Sequence, residues 1–222
     1  MIQRARQLVE EARRAIAPVE ERIRQHPYLQ ALEGRRVARG TLAIFAGQQQ
    51  HIIESDLRSV ALILARSASQ PTRDFFLGML QGERAALEAL AAFGKAVGIA
   101  GGDPAAEPLP GAFAYSAYVA WLALYASPAE FAGAFLVNLE AWGANCARMS
   151  RALRDGYGLS AEDVALFDLF AAAPPGFEVR GLAVVDEGLA GGVEPARIRR
   201  AARLLQGFEL LYWDTMLQAT QA

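Results

Sequence analysis

The chain has 222 residues, of which 53% are hydrophobic and 21% are charged, and its formal net charge is −2. This length suits one well-buried domain, and this composition excludes extended disorder. The net charge gives no reason to expect nucleic acid as a partner. Cys146 is the only cysteine, which excludes an intrachain disulfide, and the presence of only two histidines argues against a zinc site.

Helical periodicity and helix-ending residues run along almost the whole chain, and no alternating strand pattern is convincing. Pro18 predicts a bend or break in the first helix. These patterns predict an all-α bundle in a single domain. In chain order, the first four helices are expected at 2–25, from His26-Pro27 to about Gly34, at 41–67 and at 71–97, where Gly98 ends the fourth. A loop at 101–110 is followed by helices at 111–126 and 128–155, and a Ser-Pro-Ala-Glu capping box begins the second of these. The last helices are expected from Ser160, at about 177–189 and from Pro195.

Neither the N-terminus nor the longest uncharged stretch indicates a membrane protein. The N-terminus lacks an apolar signal segment, and its glutamates argue against a transit peptide. The longest uncharged stretch, 108–129, is long enough to raise the question of a membrane span. Its prolines, glycine and tyrosines favour a buried helix, and no second span exists. We therefore expect a cytoplasmic protein.

The last helix places one carboxylate in an apolar stripe. Glu209 shares a helical face with Leu205, Tyr212 and Met216. A charge on a core-facing stripe is costly unless it is paired or used, so Glu209 is a candidate site residue. The alternative is a structural glutamate paired with an arginine.

Polar residues interrupt apolar faces on two further helices. Gln49 and Asp56 lie on the core stripe of the helix at 41–67, where the alternative is that they only fix helix register. Glu140 is the only charge between residues 131 and 147, so that stretch is predicted to be enclosed. An enclosed Glu140 would hold its proton, with a shifted pKa, unless it forms a buried pair with an arginine.

The helix at 111–126 carries several tyrosines, and the helix after it carries the cysteine. Tyr115, Tyr118 and Tyr125 lie on one side, where they either line a pocket for a flat heteroaromatic ligand or belong to the core. Cys146 lies about 240° around the helix axis from Glu140. We therefore interpret Cys146 as a small core residue.

The order of several short motifs resembles the TenA family (thiaminase II and relatives), within the heme oxygenase-like helical fold that also includes PqqC. The match spans nearly the whole chain from Gln25, with 1–25 as an N-terminal helix and 26–222 as the family core. The motifs are His26-Pro27-Tyr28, FAGQQQ at 45–50, Gly82-Glu83, Ala114-Tyr115-Ser116, SPAE at 127–130 leading to Leu139-Glu140-Ala141-Trp142, and FELLYWD at 208–214.

The resemblance implies roles for individual residues. Glu209 corresponds to the family's catalytic acid and Tyr115 to a pocket tyrosine, while Phe170 falls roughly where another pocket tyrosine is expected. The chain also departs from the family. The position of the nucleophilic cysteine reads Glu140, that of its supporting aspartate reads Gln49, and two further pocket tyrosines read Ile52 and Asp56.

We therefore expect acid–base hydrolysis of a C–N bond on an aminopyrimidine or similar small heteroaromatic, of the thiamin-salvage type, without a metal or cofactor. Glu140 is expected to activate water, and Glu209 is expected to protonate the leaving nitrogen. The predicted substrate-binding residues are Gln49, Tyr115, Phe45, Ile52, Asp56 and Phe170.

Two other functional classes stay open. One is an inherited pocket without catalysis, as in a sensor or carrier, which the substitutions at Gln49, Ile52 and Glu140 favour. The fold also hosts PqqC-like oxidases and diiron oxygenases, but a diiron site needs more histidines than the chain supplies. Relatives form dimers or tetramers, so a homo-oligomer is expected, with the apolar helix at 110–126 able to contribute to an interface.

Overall fold

The structure is a computed structural model that describes residues 2–99 and 107–220. Within these ranges it consists of α-helices with one short 3-10 turn and has no strand, which confirms the all-α prediction. Most of the loop predicted at 101–110 lies outside the described residues. The helices are α1 (Ile2–Arg24), α2 (Pro27–Glu33), α3 (Leu42–Arg66), α4 (Gln70–Val97), α5 (Pro110–Tyr125), α6 (Pro128–Tyr157), α7 (Ala165–Ala171), α8 (Phe177–Ala190) and α9 (Pro195–Ala219).

The helix ends follow from local chemistry. The Ser127 hydroxyl accepts a hydrogen bond from the backbone of Glu130, and the Glu130 carboxylate accepts one from the backbone of Ser127, so the predicted capping box begins α6. Helices α4 and α6 end at Gly98 and Gly158, whose φ angles of 95° and 69° favour glycine.

The predicted start of a helix at Ser160 is wrong, and α1 is not broken at Pro18, since it continues to Arg24. Ser160 opens a turn instead of a helix, although it forms the reciprocal bonds of a helix start: the Asp163 carboxylate accepts from the backbone and the hydroxyl of Ser160 at 2.8 Å, and the Ser160 hydroxyl accepts from the Asp163 backbone at 3.2 Å. Helix α7 begins only at Ala165.

Helix α6 lies at the centre of the bundle, where it contacts α1, α2, α5, α7, α8 and α9. Every residue from 129 to 138 is buried, so the first half of α6 is enclosed. One hydrophobic cluster surrounds this half with α1, α5 and α8, and a second surrounds the other half with α2, α7 and the end of α9. Among the described residues, no helix combines the length and apolar character needed to cross a membrane.

Candidate active site

A cavity of about 50 Å³ lies where the two hydrophobic clusters meet. Six helices contribute side chains to it: α3, α4, α5, α6, α7 and α9. Aromatic rings, carboxyl groups and amides form its walls, and of the described residues no Arg, Lys or His takes part. The lining residues are Gln49, Ile52, Ile53, Asp56, Glu83, Tyr115, Phe135, Asn138, Leu139, Trp142, Phe170, Glu209 and Tyr212.

Glu209 is a buried acid with two neutral hydrogen-bond donors. Its Oε2 accepts from Asn138 Nδ2 at 2.6 Å, and its Oε1 accepts from Trp213 Nε1 at 3.1 Å. Burial raises the pKa of Glu209 to about 8, although the hydrogen bonds from Trp213 and Asn138 act in the opposite direction. Near neutral pH the group is therefore mostly protonated, and it can donate a proton.

Asn138 connects Glu209 to Tyr115. The Asn138 carbonyl accepts a hydrogen bond from the Tyr115 hydroxyl at 2.9 Å, while its amide donates to Glu209. Burial, followed by the negative charges of Asp56, Glu209 and Glu83, raises the pKa of Tyr115 well above its usual range. Tyr115 therefore stays protonated and acts as a hydrogen-bond donor.

Asp56 and Glu83 form a second acidic centre in the same cavity. Asp56 is 4% exposed, and its Oδ1 has no hydrogen-bond partner within the described chain. Burial and the charge of Glu83 raise the pKa of Asp56 well above its usual range, and burial also raises the pKa of Glu83. Two carboxyl groups in one poorly solvated space do not both ionise readily, so the pair retains a proton near neutral pH.

An aromatic wall closes one side of the cavity. Gln49 Nε2 donates a hydrogen bond to the Tyr212 hydroxyl at 2.8 Å. The ring of Trp142 meets Tyr212 and Phe170 edge-on, with centroid distances of 6.2 Å and 6.0 Å. A β-carbon at Gly143 would lie 2.7 Å from the Phe170 carbonyl oxygen, so this glycine allows α7 to approach α6.

A second cavity of about 120 Å³ adjoins the first. Apart from the residues that it shares with the first cavity, its wall is mostly apolar and comes from α4, Leu169 of α7, α8 and the segment between α7 and α8, with Arg180 as its one basic residue among those described. A β-carbon at Gly78 or Gly82, both on this wall, would meet no atom within 4 Å. The residues common to both cavities are Glu83, Phe135, Leu139 and Phe170.

The structure overturns the predicted position of Glu140. Its side chain is 49% exposed and forms ion pairs with Arg13 at 3.1 Å and Arg24 at 3.3 Å. The enclosed stretch of α6 ends at Asn138, and α1 brings both arginines to the side where Glu140 emerges. Glu140 does not line the cavity, so it is not placed to activate water there.

Phe45 is also misplaced in the prediction. Its ring is buried among Tyr28, Phe93, Phe167 and Tyr212 and belongs to the core behind the cavity wall. It packs 6.0 Å from Tyr212, centroid to centroid, so it supports a wall residue without lining the cavity itself.

The other predicted residues lie together, and their roles stay predictions. The cavity lining contains Glu209 with Gln49, Tyr115, Ile52, Asp56 and Phe170.

Sequence reasoning assigned no role to Glu83, Asn138, Trp142 or Tyr212. Glu83 carried the same signal as Glu209, because it lies on the buried stripe of Met79, Ala86 and Leu90 along α4. Asn138 and Tyr212 lay on predicted core stripes, but nothing local distinguished a cavity wall from ordinary core.

The single cysteine is buried, and the described residues hold no cluster of metal-ligating side chains. Cys146 is fully buried, as expected of a core residue, and burial raises the pKa of its thiol. In the ranges 2–99 and 107–220, no three His, Cys, Asp or Glu side chains converge to hold a metal ion.

Solved structures resemble this one along most of its length. A TenA homologue from P. horikoshii OT3 has 17% sequence identity and a TM-score of 0.77, covering 96% of this chain and 99% of its own. A TenA family transcription regulator from Silicibacter sp. TM1040 has 13% identity and a TM-score of 0.75, covering 95% and 96%. A domain of unknown function with a heme oxygenase-like fold from Shewanella denitrificans OS217 has 14% identity and a TM-score of 0.72, covering 94% and 90%.

At these identities the likeness establishes the fold, which is heme oxygenase-like as predicted. No curated protein gives a significant match. The sequence pattern of the TENA/THI-4/PQQC family matches residues 13–174, which is most of the chain, and the protein therefore belongs to that family.

Proposed function

We propose that the protein hydrolyses a C–N bond of an aminopyrimidine or a similar small heteroaromatic, in a reaction of the thiamin-salvage type. The observation that carries this proposal is Glu209, a buried acid whose pKa is raised to about 8 inside a cavity with aromatic and polar walls. Membership of a family that includes thiaminase II supports the same reading.

Because Glu140 lies outside the cavity, a single carboxyl group carries the proton transfer. Protonated Glu209 donates to the departing nitrogen as the C–N bond breaks. The resulting carboxylate accepts a proton from the attacking water as the new C–O bond forms, which returns Glu209 to its protonated state. The hydrogen bonds from Asn138 and Trp213 hold both carboxylate oxygens in place during this cycle.

Ligand binding requires the side chains that separate the two cavities to move. A cavity of about 150 Å³ is needed for a benzene-sized molecule, whereas the cavity beside Glu209 has about 50 Å³. Leu139 and Phe170 separate it from the neighbouring space of about 120 Å³. Rotation of these two side chains would give a ring room beside Tyr212 and Trp142, with Gln49 and Tyr115 as hydrogen-bonding partners.

The direct test is turnover of an aminomethylpyrimidine by purified wild-type protein and two matched variants. We expect Glu209→Gln to lose at least about 100-fold in kcat/KM, because it cannot donate a proton. Glu140→Gln, a glutamate substitution on the outside of the bundle, should change kcat/KM by less than about twofold.

The pH profile provides a second readout. Wild-type kcat should fall about tenfold per pH unit above pH 8 as Glu209 loses its proton. A profile that stays flat to pH 9, or equal activity of Glu209→Gln and wild type, contradicts the mechanism.

A second candidate function is ligand binding without turnover. The small volume of the cavity and the description of one similar structure as a transcription regulator favour it. Thermal-shift measurements with pyrimidines and thiamin fragments separate the two functions. A ligand that raises the melting temperature and is recovered intact after prolonged incubation points to binding alone.

We also propose that the protein forms a homo-oligomer in the cytoplasm, as a dimer or tetramer. An apolar face of α5 is exposed, and Leu211 of α9 is exposed as well. Burying such a face against a second copy would remove large rings from water. Light scattering on wild type and Trp121→Glu tests this, since the variant should dissociate. The exposed α5 side chains are Phe113, Trp121, Leu124 and Tyr125.

A further inference from the structure

The acidic pair of Asp56 and Glu83 has no part in the proton transfer assigned to Glu209. Asp56 is 4% exposed and lines the cavity, yet its Oδ1 has no hydrogen-bond partner in the described residues. A buried acceptor without a donor is costly, and a ligand N–H group in the cavity would offset that cost. The cavity lining therefore includes a carboxyl group that has an unsatisfied acceptor oxygen.

The other groups around the cavity favour a cation. The titratable groups that face it are the carboxyl groups of Asp56, Glu83 and Glu209 and the hydroxyl groups of Tyr115 and Tyr212. None of these carries positive charge, and neither Asp56 nor Glu83 forms an ion pair within the described residues. A bound cation would allow the acidic pair to ionise fully, because it offsets their mutual repulsion.

We propose that Asp56 and Glu83 bind the amidine-like edge of the ligand, an inference that rests on the proposed function. This edge is a protonated ring nitrogen beside an exocyclic amino group, as in protonated aminopyrimidines and aminopyridines. It offers two N–H donors that share one positive charge, which matches two carboxylates. The pair thus selects basic nitrogen heterocycles over neutral rings of the same shape and leaves Glu209 for proton transfer.

Acetamidine and acetamide form a minimal probe pair, because they have the same shape and differ in charge. We expect titration calorimetry at pH 7 to show that wild type prefers acetamidine. Asp56→Asn and Glu83→Gln should each weaken acetamidine binding by about 10- to 100-fold, the loss expected for a charge-assisted hydrogen bond. Glu140→Gln should bind as wild type does.

Glu209→Gln separates this inference from the proposed reaction. This variant should retain acetamidine binding while it loses turnover. The binding measurement does not depend on turnover, so it still tests the acidic pair if the wild type proves inactive. Far-UV circular dichroism checks that both acidic-pair variants are folded. If Asp56→Asn does not fold, Glu83→Gln still tests the proposal, because Glu83 is only half-buried. Equal affinity for the two probes, no saturable acetamidine binding by wild type, or undiminished binding by a folded pair variant overturns the proposal.

Discussion

Glu209 and Glu140 look alike in sequence and occupy opposite environments. Glu140 is the only charge between residues 131 and 147, and Glu209 is the only charge between residues 204 and 213. Glu209 faces the cavity and accepts hydrogen bonds from two neutral donors, whereas Glu140 is half-exposed between two arginines of α1. The difference shows that a charge in an apolar stretch marks a site only when the neighbouring helices leave it without a counter-ion.

The neighbouring helix accounts for both outcomes. Helix α1 is rich in arginine and contacts both α6 and α9. It places Arg13 and Arg24 beside Glu140, where the pairs remain in contact with water. On the inner side, Glu209 of α9 meets Asn138 of α6, an amide that cannot neutralise it. Burial without charge compensation then raises the pKa of Glu209.

The largest expected effect concerns stability against pH. Glu209 binds its proton more tightly when folded, with a pKa of about 8 instead of 4.5, so its contribution lowers stability as the pH rises from about 4.5 to 8. Glu209→Gln removes that contribution. Denaturant unfolding at pH 5 and pH 8.5 should show the variant gaining about 4 kcal/mol relative to wild type between the two values.

The pH-independent cost of placing an amide at position 209 cancels in that difference. Glu140→Gln is the matched control, and its stability relative to wild type should not change over the same interval. If the free energies of unfolding of both variants change equally with pH relative to wild type, the two glutamates do not differ as described.

A middle-sized effect should follow from filling the second cavity. Leucine at Gly82 would extend into that space, because a β-carbon there meets no atom within 4 Å. If the separating wall must yield for a ring to bind, Gly82→Leu should raise KM for the aminomethylpyrimidine by about tenfold, an effect of about 1.4 kcal/mol.

Two controls sharpen that measurement. Gly82→Ala leaves most of the space open and should stabilise α4 by about 0.5–1 kcal/mol. Gly207→Leu places the same side chain at an exposed mid-helix glycine of α9 that lines neither cavity, and it should leave KM unchanged. An unchanged KM in Gly82→Leu removes the second cavity from ligand binding.

The smallest effect is expected at the surface. Glu140→Gln loses ion pairs with Arg13 and Arg24, but these are accessible to water. The cost should be about 0–1 kcal/mol in urea unfolding, and it should shrink in 0.5 M salt or above because such pairs are screened. A loss of several kcal/mol would mean that the pair acts as a buried one.

Part of this fold and site could be predicted from short-range patterns. The α6 capping box, the glycine ends of α4 and α6 and the buried stripe around Glu209 depend on residues within a few turns of each other. The motif order also pointed to the family. By contrast, the ion pairs of Glu140 are formed with arginines more than a hundred residues away in the chain, so the uncharged stretch around Glu140 was misleading.

The sequence by itself determined the helices, the family and the candidacy of Glu209, because periodicity, capping residues and motif order are properties of the chain. Only the tertiary structure decided which polar residues share a cavity. It brings Asp56 of α3 and Glu83 of α4 into one cavity lining and places Asn138 within hydrogen-bonding distance of Glu209. It also places Phe45 in the core outside the cavity lining. Such pairings depend on how helices rotate and pack against each other, and that is set by the sum of contacts over the whole bundle.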